Sequence, residues 1–199
     1  GDEPKDHHVV PLAIELHGEG SPELPRPHVT VRYTDSAREG QVANLEYDYL
    51  INATGPKLNF GATPGLGPDG HTWSVCTAGH AVETAKAFDE VIARLKGGAH
   101  QTLLIGMGHG TCTCQGAAFE YTFNVEHELV KEGVRDKADV IYITNESQLG
   151  DFGMDGMNFG HKGDVIPSQM FTESLFQERG VKAVMSAHVE RVEPGVAHY

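Results

Sequence analysis

The sequence predicts an α/β protein with a mainly parallel sheet, preceded by a β meander. Three observations predict it. From residue 102 onward, short apolar runs alternate with amphipathic stretches in the order strand, helix, strand, loop, helix, strand, which is a βαβ series. The chain carries 24 glycines in 199 residues, too many for a helical bundle because glycine weakens helix interiors. Segments 28–33 and 41–47 alternate apolar and polar residues, as a half-exposed antiparallel strand does.

The elements follow in order. Residues 1–29 are polar and proline-rich, with a short alternating strand over 9–16. Residues 28–33 (HVTVRY) form the next strand, with Val29, Val31 and Tyr33 on one face, and 41–47 return after a turn. Residues 49–53 (YLINA) are an apolar run ending at Thr54 and Gly55, which reads as a buried strand with a sharp exit. A long loop follows, marked by prolines and glycines between 56 and 70. A helix is predicted over 78–96, because Val82, Ala85, Phe88, Val91, Ile92 and Leu95 fall together on a helical wheel and Gly97 and Gly98 stop it. Residues 102–106 (TLLIG) are a buried strand. A second helix fits 116–131, another strand 139–144, a glycine-rich loop 150–163, a third helix 167–178 and a further strand 181–185. Residues 196–199 read as an additional strand.

Charge and composition exclude several functions. The formal net charge is −13, from 15 basic and 28 acidic side chains. An acidic surface repels phosphate backbones and argues against nucleic-acid binding and against a polybasic membrane patch. No run approaches the roughly 20 apolar residues of a membrane span. The first ten residues are polar and acidic, unlike a signal peptide. Three cysteines, Cys76, Cys112 and Cys114, do not make a secreted disulfide framework. The chain starts without Met and stops within a strand, so both ends read as cut.

Three stretches carry chemistry. The first is residues 47–55 (YDYLINATG), where a strand ends in Ala53, Thr54 and Gly55 and lets backbone approach a flat ligand closely. The second is residues 103–121 (LLIGMGHGTCTCQGAAFEY). A strand enters a glycine turn and a helix leaves it, the context of a dinucleotide fingerprint. Thr111, however, stands where the last glycine of GxGxxG belongs, and two cysteines occupy the bend. A cysteine just before a helix start gains thiolate character from the helix dipole, and Cys114 has that place, with Cys112 two residues upstream. The alternatives are that both are inert small apolar residues or that they bond to each other. Extended residues at this spacing lie roughly 6.6 Å apart between α-carbons, near the upper limit for a disulfide. A metal site from His109, Cys112 and Cys114 lacks a fourth ligand and the usual zinc spacing, so no metal is expected. The third stretch is residues 74–81 (SVCTAGHA). Cys76 lies just before the predicted helix, and His80 is one turn inside it, where an imidazole can move protons near neutral pH.

The strings YDYLINATGPKL, VCTAGHA, GTCTCQGAAFEY and VIYITNE, in this order and joined by RGVKAVMSAHVERVE, resemble the sulfide:quinone oxidoreductases of the FAD-dependent pyridine nucleotide-disulfide oxidoreductase superfamily. The resemblance spans most of residues 45–199. It implies two parts: residues 1–75 as the C-terminal part of a first FAD-domain segment, and 76–199 as an incomplete Rossmann-like second domain. It implies FAD as cofactor, with Ala53, Thr54 and Gly55 beside it, and sulfide and quinone as substrates. It implies that Cys114 is the redox cysteine, that Cys76 has an auxiliary role near the flavin, that His80 transfers protons and that Glu120 is a general base. Cys112 is an extra cysteine relative to the family pattern and a second candidate for the redox role. Asp151 stands where some members carry histidine. The first FAD-binding GxGxxG would precede residue 1, and the partner of Cys114 and the membrane-docking region would follow residue 199. The expectation is therefore a fragment that alone is inactive and binds FAD weakly, from a cytoplasmic or peripheral membrane protein of a prokaryote. The alternatives are a non-catalytic Rossmann-like nucleotide-binding or interaction module and an NAD(P)H-linked flavoprotein reductase.

Overall fold

The computed structural model describes residues 12–51, 53, 55, 57–107 and 115–199. The chain divides into two compact units, Gly1–Lys57 and Leu58–Tyr199.

In the first unit, β1 (Leu12–His17), β2 (His28–Arg32) and β3 (Val42–Glu46) form an antiparallel sheet in the order β1-β2-β3. This is the meander that the alternating pattern predicts; residues 9–11 of the first expected strand lie outside the described residues. The register pairs His28 with Glu46 and Arg32 with Val42. Arg26 holds one end by meeting Glu46 at 3.1 Å and Asp48 at 2.8 Å. At the other end, the Tyr33 amide donates to the Gln41 carbonyl at 2.9 Å. His28 is buried, with Nδ1 3.0 Å from the Arg26 carbonyl, and its ring stacks on His17 at 4.5 Å.

The apolar run after β3 departs from expectation. The described residues of the run, 49–51 and 53, are in no strand, and Tyr49 and Ile51 are 94% and 90% exposed. A strand needs a neighbour to pair its backbone N–H and C=O groups. Among the described residues none lies beside this run, so its β-forming side chains have no sheet to join.

The second unit runs α1 (Ala78–Lys96), β4 (Gln101–Gly106), α2 (Gln115–Lys131), β5 (Ala138–Ile143), β6 (Asn158–His161), β7 (Asp164–Pro167), α3 (Ser168–Arg179), β8 (Lys182–Val184), β9 (Arg191–Glu193) and β10 (Val196–His198). β4, β5 and β8 form a parallel sheet in that order, with Leu103 beside Val140 and Ile143 beside Val184. This Rossmann-like βαβ arrangement is the predicted one. Alternate residues of β5, namely Ala138, Val140 and Tyr142, enter one apolar cluster with Ile92 and Leu95 of α1, Val125 and Leu129 of α2 and Phe176 of α3. Leu95 and Leu129 are fully buried, each worth about 1.5–3 kcal/mol of transfer free energy. Ile143, out of phase with that set, packs instead with Ala187 and Val189.

The glycine-rich stretch 150–163 is more ordered than a loop. It leads into an antiparallel hairpin in which β6 pairs with β7, closed by the two residues Lys162 and Gly163 at φ 50° and 93°. Two left-handed residues are what a two-residue hairpin turn demands. The expected strand 196–199 is β10, which pairs antiparallel with β9. Pro167 is the N-cap of α3, and Gly180 ends the helix in the left-handed conformation at φ 60°.

Candidate functional site

The start of α1 is set by a side-chain cap. Thr77 has extended backbone, and its hydroxyl accepts the His80 amide at 3.2 Å, satisfying one of the free N–H groups of the first turn. The approach to this cap is also fixed. The Ser74 hydroxyl accepts the Cys76 amide at 3.2 Å, and the Ser74 carbonyl accepts the Thr84 hydroxyl at 2.6 Å. Cys76 is thereby held outside the first turn as an exposed free thiol. His80 is half-buried, its ring 5.8 Å from Phe60, and its Nδ1 is enclosed without a hydrogen-bond partner among the described residues.

The second mouth is that of α2. The helix begins at Gln115; Cys112 and Cys114 lie outside the described residues, and Cys114 is the residue bonded to Gln115. Gln115 is 5% exposed, and its Oε1 has no hydrogen-bond donor among the described residues. One turn further on, Glu120 lines an open groove of about 650 Å³ between α2 and α3. The groove is walled by Phe119, Phe123, Phe152, Met154 and Phe171, with Arg179 at its far end. Phe119 is central to the aromatic packing: it meets Phe123 at 4.9 Å, Phe152 at 5.3 Å and Phe176 at 6.1 Å.

A buried polar network underlies the turn after β5. Glu146 accepts the Thr144 hydroxyl at 3.1 Å and the Tyr142 hydroxyl at 3.4 Å. Burial raises its carboxyl above the ordinary range; the Thr144 hydroxyl and the amides of Phe152 and Gly153 pull it back, and Asp151 pushes it further up. Burial also pushes the Tyr142 phenol up to about 12, against the Thr144 hydroxyl, with Glu146 adding to the rise. Asp151 organises the turn itself: its carbonyl accepts the Met154 and Gly156 amides, each at 3.1 Å, and its Oδ1 accepts the Asp155 amide at 3.1 Å. Sequence reading noted Asp151 but missed Glu146 and Gln115. Both fall within the strings quoted for the resemblance, but burial of a polar side chain has no local signal in the sequence.

In the first unit, Ala53 is exposed and Gly55 has φ 78° with open space around the position a Cβ would take. Thr54 lies outside the described residues. Glycine there presents backbone with no side chain to hold off a neighbouring group.

No protein-family model matches the chain. A sulfide-quinone reductase of Aquifex aeolicus is 37% identical over 155 residues, which is 78% of this chain and 32% of that protein. The chain is similar to part of a sulfide-quinone reductase. The X-ray structure of the sulfide:quinone oxidoreductase from this hyperthermophilic bacterium superimposes with a TM-score of 0.61 at 34% identity, over 84% of this chain and 33% of that one. The chain thus spans about a third of the length of the sulfide-quinone reductase it matches. No helix among the described residues is long and apolar enough to cross a membrane.

Proposed function

We propose that this chain is part of a flavoprotein oxidoreductase that takes two electrons from sulfide and passes them to a quinone. Its own residues supply the thiol chemistry. The observation that carries the reading is the start of α2 at Gln115, one residue after Cys114, in a chain with 37% identity to a sulfide-quinone reductase. The unpaired N–H groups and positive dipole end of a helix favour thiolate over thiol in a cysteine at its mouth.

In this reading hydrosulfide attacks the Cys114 sulfur within a disulfide or polysulfide bridge. The bridging S–S bond breaks, a new S–S bond leaves a persulfide on Cys114, and the bridge partner departs as a thiolate. Glu120, at the groove wall one turn into α2, takes the proton of incoming hydrogen sulfide. His80, four residues after Cys76 in the sequence, is assigned the proton transfer of the return step. Ala53, Thr54 and Gly55 would lie against FAD, which when bound supplies the two-electron relay to quinone. Contact with the membrane that holds the quinone is assigned to sequence beyond this chain.

The test is made in the intact flavoprotein. Cys114→Ser is expected to abolish sulfide-dependent quinone reduction, whereas Cys112→Ser retains it. The reverse pattern moves the nucleophile to Cys112, and full activity in both variants removes the thiol mechanism.

A further inference from the structure

The turn over residues 150–157 is strained and held down at both ends. Phe152 and Asp155 are left-handed at φ 56° and 60°, alongside Gly150, Gly153 and Gly156 at 84°, 72° and 88°. A bulky residue such as Phe152 holds this conformation only where its surroundings over-determine it. The Ser168 hydroxyl, at the first residue of α3, donates to the Gly150 carbonyl at 2.6 Å and accepts the Met157 amide at 2.8 Å. The Ser168 amide donates to the Met157 carbonyl at 2.7 Å. The crest of the turn rests on α2. Phe152 sets its ring edge-on to Phe119 at 5.3 Å, and a Cβ on Gly153 would stand 3.1 Å from Oε1 of Gln115. Phe152, Met154 and Met157 together supply one wall of the groove between α2 and α3.

Beneath the turn lies a buried acid. Glu146 is 6% exposed. Its Oε2 accepts the Thr144 and Tyr142 hydroxyls, but its Oε1 has no hydrogen-bond partner among the described residues. Tyr142 of β5 keeps its proton through the neutral range, since burial pushes its phenol up to about 12. On the turn, the Phe152 and Gly153 amides favour the charged form of Glu146, and the Asp151 carboxylate opposes it. Asp155, also on the turn, is exposed. From the segment after β8, the Ser186 amide donates to the Glu146 carbonyl at 2.7 Å, and His188 of that segment is exposed. Removal from water is the largest influence on the carboxyl and disfavours its charge. A carboxylate here is short of solvent, has one oxygen unpaired and faces a like charge.

We propose that the turn is a pH-sensitive strap: it seats over Glu146 while that carboxyl holds its proton, and lifts when the carboxyl ionises. Lifting costs the Ser168 bonds and the Phe152–Phe119 contact. It releases the backbone strain at 152 and 155, admits water to the carboxylate and lets it part from Asp151. The stability of the seated form is fully present below the ordinary value near 4.5 and is lost as pH rises through the higher, seated value. Phe152, Met154 and Met157 travel with the strap, so proton concentration sets one wall of the groove. None of these residues takes part in the thiol chemistry proposed above.

Hydrogen exchange read by mass spectrometry tests the strap in the 199-residue chain. Protection is measured from pH 4 to pH 8 and corrected for the intrinsic exchange rate, with a peptide from β5 as reference. The amides of Met154 and Gly156 donate to the Asp151 carbonyl, and that of Met157 to the Ser168 hydroxyl. They are expected to be most protected at pH 4 and to lose up to about tenfold of that protection per pH unit as Glu146 titrates, while β5 holds steady. Glu146→Gln keeps the turn protected at every pH. Asp151→Asn retains the carbonyl acceptor, removes the like charge and shrinks the loss; it carries the test if Glu146→Gln gives no cooperative melt by circular dichroism. The strap is overturned if protection of the parent's turn is flat with pH, or if the folded variant shows the parent's full loss. It is overturned equally if β5 loses protection in parallel, which is unfolding of the whole unit.

Discussion

The carboxylate of Glu126 on α2 meets the guanidinium of Arg179 at the end of α3 at 3.0 Å, across 53 residues of sequence. Arg135 Nε lies 3.6 Å from the other carboxylate oxygen. Its remaining nitrogens hold the carbonyls of Ala138, Arg179 and Gly180 at 2.7–2.9 Å. One buried acid thus gathers α2, β5 and the exit of α3. Glu126→Ala leaves both cations without their counter-charge, while Arg135 keeps its three carbonyl acceptors. Breaking a buried pair costs about 3–5 kcal/mol, and Arg179, whose side chain is 38% exposed, recovers some hydration. The expected loss is roughly 2–3 kcal/mol, measured by urea unfolding.

Gly106 ends β4 beside Ile143 of β5. A Cβ there would run into the Ile143 carbonyl and come within 2.5 Å of Cγ2. Gly106→Ala is therefore expected to destabilise the chain by about 1–3 kcal/mol, the usual cost of overpacking, seen as a lower melting temperature. An unchanged melt would mean that β4 and β5 separate more easily than their register implies.

The Glu146 carboxyl is raised, first by burial and then by Asp151. A folded-state pKa above the unfolded one means that folding favours the protonated form. That stability is fully present below the unfolded value, near 4.5, and is lost as pH rises through the raised folded value. Glu146→Gln, neutral at every pH, is expected to melt higher than the parent at pH 7 and alike at pH 4. A gap of equal size at both pH values would show that charge is not the cause.

Thr77 caps α1 through its hydroxyl. Thr77→Ala is expected to cost about 1 kcal/mol in chemical denaturation, and Thr77→Ser to restore most of it. Alkylation of neighbouring Cys76 in the same variants tests whether the cap also holds the thiol in place. A faster reaction in Thr77→Ala and a normal one in Thr77→Ser is the expected pair.

Elements with local signals were readable in the sequence. A periodic apolar face over 78–96, with Gly97 and Gly98 after it, marked α1, which spans Ala78–Lys96. The run DVIYIT needed only its own β-branched and aromatic residues to read as a strand over 139–144, and β5 spans Ala138–Ile143. The run YLINA carries the same composition, but composition does not supply the neighbouring strand on which pairing depends. The hairpin of β6 and β7 was hidden because its turn is Lys162–Gly163, not the asparagine–glycine pair that announces such turns. At the site, the position of Cys114 before a helix was legible because glycine, cysteine and an amphipathic run follow in order. Gly153 against Gln115 was not. It joins residues 38 apart in sequence through backbone shape alone, and no periodicity or spacing reports such a contact.

β4, β5 and β8 stand side by side in the order in which the chain supplies them. Each strand can therefore dock on its predecessor as soon as the intervening crossover closes. Ring-closure entropy rises by only about 0.6 kcal/mol for each doubling of loop length, so neither step is heavily penalised. The search for the native topology proceeds through medium-range encounters, and the unit is expected to refold faster than an all-β domain of similar size.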